Sequence, residues 1–403
     1  MATINLQEPV YKGAQGPVFF AAGFRPFFLF SAIQAVVMLP VWLLTFFGLL
    51  EVGTNWNPVV WHAHSMVFGF ASAAIGGFLL TAVPSWTNSH HVSGRPLAVL
   101  FGLWLAGRIA TGLAGILPPA VVAVADLGYL PLLAVLLAKP LIEAKKWRNI
   151  AFLPILGVLW LADLCVHLEA LTGSPTGLKG VYLGIFVVLL MIVIVGGRIV
   201  PSFTQNWLRM QGRPVEMTPV GWIEKGGAAG SLVLAALAQL MLPSTPLAGV
   251  LALVAAVIHF YRLSGWHGLK TMGNPILAVL HVGYGWMVLG FALLGLSAFI
   301  DGLPASAAVH ALTAGSVGTM VIGVMSRAAL GHSGRPLELA PATVVAYILV
   351  SVGTILRVAA PVLPGAMIPM TLAGGLAWTA GWLVYVVVYF PVTTQPRADG
   401  RPG

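Results

Sequence analysis

Apolar runs of roughly 20 residues recur along this chain from Phe27 to Phe390, and about 20 helical residues cross the hydrocarbon of a bilayer. That repetition leaves little else for the chain to be. Hydrophobic residues make up 59% of its 403 positions and charged residues 8%, against about 25% charged in a soluble domain. The fold class it predicts is all-α: a polytopic membrane protein of about twelve transmembrane helices. Pro, Gly and charged residues set the span limits near 27–50, 61–84, 96–118, 119–140, 148–172, 177–201, 218–242, 245–263, 276–300, 304–331, 340–362 and 366–392. Residues 1–26 then form a cytoplasmic N-terminal segment with no cleavable signal, 27–392 one membrane domain, and 393–403 a cytoplasmic tail. The single cysteine, Cys165, excludes a disulfide within the chain.

The net charge of +9 suggests nucleic acid until its distribution is followed. Basic residues fall in alternate connections: Lys12 and Arg25, Arg95, then Lys139 to Arg148, Arg198 to Arg213, Arg262 and Lys270, Arg327 and Arg335, Arg397 and Arg401. The opposite connections hold little beyond Glu51, Glu169, Lys179 and Asp301. This is the positive-inside asymmetry; it places both termini in the cytoplasm of a bacterial inner membrane and excludes a nucleic-acid partner.

Two markers repeat. Val83-Pro84-Ser85 is followed by Gly94-Arg95-Pro96, Val200-Pro201-Ser202 by Gly212-Arg213-Pro214, and Met325-Ser326-Arg327 by Gly334-Arg335-Pro336. Ser85, Ser202 and Ser326 are 117 and 124 residues apart, and Pro154-Ile155-Leu156 recurs as Pro275-Ile276-Leu277 after 121. Such a period predicts three parallel four-helix units, roughly 27–147, 148–270 and 271–392, around a pseudo-threefold axis. That arrangement resembles the catalytic subunit of the haem-copper oxidases, an analogy of fold alone.

An imidazole or charge inside a span is expensive unless partnered, so each is a functional candidate. His62 and His64 open the second span; two residues apart on a helix, they point roughly 200° apart and must serve different partners. His310 opens the tenth span at the same outer side. One histidine of the second span and His310 have the chemistry to clamp a haem iron, and the alternative for each is a helix-end hydrogen bond. His281 and Tyr284 share a face of the ninth span, as a ligand beside a phenol or as a hydrogen-bonded pair. Asp163 and His167, four apart, make either a carboxylate-oriented imidazole or a buried ion pair. Arg108 and Arg357 lie inside the third and eleventh spans, where they meet haem propionates, pair with Asp126 or snorkel. His90, His91, His259, His267 and His332 fall at loops or helix ends. Among them the turn Gly331-His332-Ser333-Gly334 makes His332 the best metal candidate. Soft copper ligands are scarce.

Several segments together resemble one family: Gly23-Phe24-Arg25-Pro26-Phe27-Phe28, Trp61-His62-Ala63-His64, Gly77 to Pro84, Gly196-Gly197-Arg198, Leu280-His281-Val282-Gly283-Tyr284, and His310 through Arg335. In that order they resemble the NnrS family of bacterial membrane proteins. The resemblance implies b-type haem, copper, nitric oxide as a small-molecule ligand, an electron donor of unknown identity, and a role in denitrification or tolerance of nitrosative stress. It does not supply the ligands of the metals, so His62, His64, His281, His310 and His332 as metal ligands, with Arg108 and Arg357 as further cofactor contacts, stand on placement. Ser65 occupies the position after the second histidine, where the family commonly has glutamate.

Three functions are therefore expected to compete: a haem protein that binds or converts nitric oxide, with an oxidoreductase activity left open; a transporter or metal- or haem-handling protein without redox catalysis; and a structural or sensory membrane protein without catalysis. No histidine falls in the sixth span or opens the seventh, which argues against an oxidase-like copper site.

Overall fold

A computed structural model describes residues 16–52, 56–217 and 219–401. Residues 1–15 of the predicted N-terminal segment, Lys12 included, lie outside these. Among the described residues there is helix and no strand.

Ten helices are long and apolar enough to cross a membrane: α1 (Phe24–Phe46), α2 (Pro58–Thr87), α4 (Pro119–Glu143), α5 (Trp147–Thr172), α6 (Gly177–Met210), α8 (Pro246–Ser264), α9 (Pro275–Leu296), α10 (Ala305–His332), α11 (Pro341–Val362) and α12 (Pro364–Thr394). The remaining predicted spans are α3 (Arg95–Gly112) and α7 (Ala228–Met241), the latter entered through a π turn, Ile223–Gly227. All twelve predicted helices are present, and side chains such as Ile116, Val124 and Val387 face outward, as lipid contact requires.

Several limits differ from expectation, α3 ending at Gly112 and the α-helical part of α7 beginning only at Ala228, and three differences bear on the packing. Helix α2 continues past Pro84 to Thr87 and α6 past Pro201 to Met210, because an internal proline removes one backbone hydrogen bond and kinks a helix without having to end it. Arg25 belongs to α1 rather than to a water-facing segment; fully buried, its Nη1 donates to the carbonyls of Thr393 (3.1 Å) and Gln395 (2.7 Å). The glycines of the three Gly-Arg-Pro markers, Gly94, Gly212 and Gly334, all adopt left-handed φ, at 64°, 67° and 69°. A side chain would be strained there, which accounts locally for the repeated glycine.

The chain forms two compact units. The first comprises residues 1–184, 325–338 and 386–403, the second 185–324 and 339–385.

In the first unit α2 is the most enclosed element, because after His64 it widens into a π turn, Ser65–Ala71. Such a turn leaves carbonyls without their usual intrahelical donors, and in an apolar interior they must be satisfied otherwise. Donors arrive from three other helices: Ser31 Oγ to Phe70 O (2.9 Å), Gln34 Nε2 to Ser65 O (3.4 Å), Trp104 Nε1 to Gly69 O (3.2 Å) and Tyr129 Oη to Ser72 O (3.1 Å). These bonds fix α1, α3 and α4 around the segment that begins at His64.

The second unit repeats the device in α10. His310 precedes a π turn, Ala311–Val317, whose Ala314 carbonyl accepts from Trp378 Nε1 at 3.2 Å. Close backbone crossings of α8 with α9 at Gly249 and Gly295, and of α11 with α12 at Gly353 and Gly374, leave no room for a Cβ, as small-residue contacts between membrane helices do.

Candidate functional site

The first unit gathers four potential donors from three helices: His64 of α2, Asp126 of α4, and Asp163 and His167 of α5, all buried. The spacing of four residues puts Asp163 and His167 on one face of α5. His64 reaches them because it points away from His62, as residues two apart must. His62 instead stacks on Trp42, rings 4.4 Å apart and 11° from parallel. Helices α3 and α4 meet closely at Gly107, where a Cβ would collide with Asp126, and this brings the Arg108 guanidinium onto Asp126 Oδ1.

His64 Nε2 lies 2.9 Å from Asp163 Oδ1 and 3.0 Å from Asp126 Oδ2. His167 Nε2 lies 3.1 Å from Asp126 Oδ2 and 3.7 Å from Asp163 Oδ1. Two imidazoles and two carboxylates thus converge on one point. Trp56 packs against both imidazoles, 4.8 Å from His64 and 5.3 Å from His167, and Phe68 lies 5.1 Å from His64. Among the described residues neither Nδ1 has a hydrogen-bond partner, and aromatic packing orients the rings.

Chemically the cluster has one cation, Arg108, against two carboxylates, and so has room for further positive charge. Four ligands about 2.0–2.2 Å from a tetrahedral ion stand about 3.3–3.6 Å from one another; the four imidazole–carboxylate contacts here are 2.9–3.7 Å, and all four donors lie within 4.8 Å of one another. The donor set is nitrogen and oxygen without sulfur, which suits zinc, iron, manganese or copper(II) better than copper(I).

Of the candidates named from sequence, His64 and Arg108 meet in this cluster. His310 and Arg357 are near each other in the second unit, where Arg357 acts electrostatically on the imidazole. There His310 Nδ1 donates to Ser306 O at 2.7 Å, which fixes the tautomer with Nε2 carrying its lone pair, the usual preparation of a metal-binding histidine. His281 stands apart, its Nε2 2.9 Å from Thr204 Oγ1 and its Nδ1 over Gly268. His332 packs on Phe24, and its carbonyl accepts from Arg397.

Tyr284 does not pair with His281. Its hydroxyl is 2.7 Å from His259 Nδ1 and accepts from Arg262 Nη1 at 3.0 Å, while Arg262 also donates twice to Glu224, at 2.8 and 2.6 Å. His259, placed from sequence at a loop or helix end, is fully buried, because it lies on the face of α8 that packs on α9, against Tyr284 and Phe291. Asp126 was the least expected member of the four-donor site, named only as an alternative partner of Arg108. The signal for it was present, since an ionisable residue within a span is a candidate by default.

No curated protein matches this chain. The family model described as NnrS protein matches residues 18–397 of the 403, and the chain belongs to the NnrS family.

Proposed function

We propose that this chain is a metal- and haem-containing protein of the bacterial inner membrane that binds or converts nitric oxide in denitrification or nitrosative-stress tolerance. The observation that carries the reading is the buried convergence of His64, Asp126, Asp163 and His167 beside Arg108. Membership of a family linked to nitric oxide supplies the ligand class. The four side chains would hold one metal ion, and a bound transition metal supplies a site for a small diatomic ligand or for electron transfer. Copper, if it sits here, fits as copper(II) rather than copper(I). For haem, His310 offers an Nε2 lone pair and Arg357 a cation for a propionate. Trp56 and Phe68 exclude water from the metal position, and Arg108 orients Asp126.

The test is purification in detergent, metal analysis, and optical spectra of oxidised and reduced protein with and without nitric oxide. The expected result is stoichiometric metal lost in His167→Ala, a haem spectrum lost or shifted in His310→Ala, and a spectral response to nitric oxide. Unaltered haem in His310→Ala with loss in His281→Ala would move the haem site to α9. Absence of both metal and a nitric oxide response would sink the reading. Reporter fusions near Arg213 are expected to be cytoplasmic.

A second reading rests on the same cluster. Carboxylates and imidazoles buried within membrane spans also suit the passage of a cation, and repeated units occur in transporters. Metal flux into proteoliposomes without any haem or nitric oxide signal would favour it.

A further inference from the structure

The Arg108 side chain is 6% exposed, and only its Nη2 is spent, on Asp126. Its Nε and Nη1 are buried and meet no acceptor among the described residues. Two unspent N–H groups on a buried guanidinium are costly, since each has given up water without gaining an acceptor. Nη1 faces the π turn of α2: a Cβ on Gly69 would lie 3.0 Å from it and 2.7 Å from Gln34 Nε2. The glycine lets two nitrogen donors of different helices, Arg108 Nη1 and Gln34 Nε2, converge against the π turn.

Charge points the same way. A divalent metal, two carboxylates, one guanidinium and two neutral imidazoles sum to +1, by +2 − 2 + 1. Uncompensated charge in an apolar interior is strongly disfavoured, and here no third carboxylate belongs to the cluster. One monoanion would neutralise the site and give the unspent Nη1 of Arg108 an acceptor.

We propose that the His–Asp cluster takes up its metal together with one small inorganic anion, of the size of nitrite or azide, held by Arg108 Nη1 with Gln34 Nε2 beside it. This rests on the metal reading given above. Arg108 is here a binding residue for the anion and a positioning residue for Asp126. By linkage, an anion that prefers the metal-loaded protein must tighten metal binding by the factor that the metal tightens anion binding.

The experiment uses the full chain in detergent, stripped of metal and titrated with cobalt(II), with and without azide, and then with nitrite. The visible bands of cobalt(II) report its coordination. The expected result is a shift of those bands by azide and cobalt binding tightened about tenfold or more in its presence. Arg108→Gln is expected to bind cobalt without the azide effect. Because that change leaves Asp126 without its cation, Gly69→Ala is measured beside it: its methyl would press on Arg108 Nη1 and Gln34 Nε2, the two nitrogens at the anion, and is expected to reduce the coupling several-fold. Cobalt binding indifferent to azide in the unaltered protein overturns the anion and leaves the metal reading standing. A protein that binds no cobalt overturns both. An azide effect seen only after haem is removed makes a haem propionate the natural partner of Arg108 and overturns the free anion.

Discussion

In the first unit Arg108 meets Asp126, and in the second Arg262 meets Glu224, so each unit sets one guanidinium against one carboxylate near an imidazole. What surrounds the pair differs. Arg262 spends Nε and Nη2 on Glu224 and Nη1 on the Val193 carbonyl and the Tyr284 hydroxyl, which in turn meets His259. Its charges cancel and its donors are used. Arg108 leaves two nitrogens unspent, and beyond Asp126 stand a second carboxylate and two imidazoles. A closed network locks helices together; an open one with surplus donors is arranged for something to arrive. Possession of a buried salt bridge does not separate structural from functional sites, whereas the accounting of donors and acceptors around it does.

The largest expected effect tests that contrast directly. Asp126→Ala strands Arg108 in an apolar interior and is expected to cost about 3–5 kcal/mol, read as a large fall in the melting temperature in detergent. Glu224 is 28% exposed, so Glu224→Ala lets water reach Arg262 and is expected to cost about 1 kcal/mol. Equal losses would break the comparison.

Next comes the fit of Arg262. A Cβ on Gly197 would lie 1.9 Å from Arg262 Nη2, so Gly197→Ala must push the guanidinium off Glu224 or shift α6. Overpacking of this kind costs about 1–3 kcal/mol. The expected signature is lower stability with unchanged metal content at the first unit's cluster, checked by thermal unfolding and elemental analysis. Loss of that metal would show the second network to be more than structural.

Much of this was legible in the sequence, and the division follows range. Apolar runs fixed the twelve helices because span length is a local property. The divergence of His62 and His64 followed from the angle between residues two apart. The Asp163–His167 pairing followed from a spacing of four, and Arg108 with Asp126 was among the weighed alternatives. What could not be read was the joining of these pairs. It depends on the rotation of α2, α4 and α5 about their own axes, set by contacts far apart in the chain. The π turn at Ser65–Ala71 is likewise written by donors from α1, α3 and α4, and no local propensity marks it. His259 and Tyr284 were assigned other surroundings for the same reason: their contact crosses from α8 to α9.

A smaller effect probes the end of the closed network. Tyr284→Phe removes the hydroxyl that meets both Arg262 and His259. The cost is expected to be about 1–2 kcal/mol, that of two buried groups losing one bond each, and cobalt binding at the first unit should not change. If Tyr284→Phe instead altered the haem or cobalt spectrum, the second network would have to be counted as part of the working site.

The smallest expected effect is pH dependence outside the spans, and it belongs to the first unit. His91, in the connection between α2 and α3, has its pKa lowered from 6.5 to about 4, first by burial and then by the charges of His332, Arg397 and His90; only a Leu80 backbone contact opposes this. The sign follows from which state binds protons. Above pH 6.5 the imidazole is neutral in both folded and unfolded chains. As pH falls from 6.5 towards 4 the unfolded chain protonates first, so stability is lost across that window and no further below it. The loss is expected to be roughly 1 kcal/mol once residual solvent access to a loop side chain is allowed for. Asp399 adds a loss at lower pH: Arg397 beside it holds its carboxyl well below the usual range, and that contribution disappears as the carboxylate is protonated. Melting curves of the unaltered protein and of His91→Asn between pH 7.5 and 4.5, a window of about three units around the ordinary histidine value, separate the two groups. The variant should lose less stability than the parent through pH 6, and parallel curves would mean that the His91 ring is solvated and that the first unit's acid sensitivity begins only at Asp399.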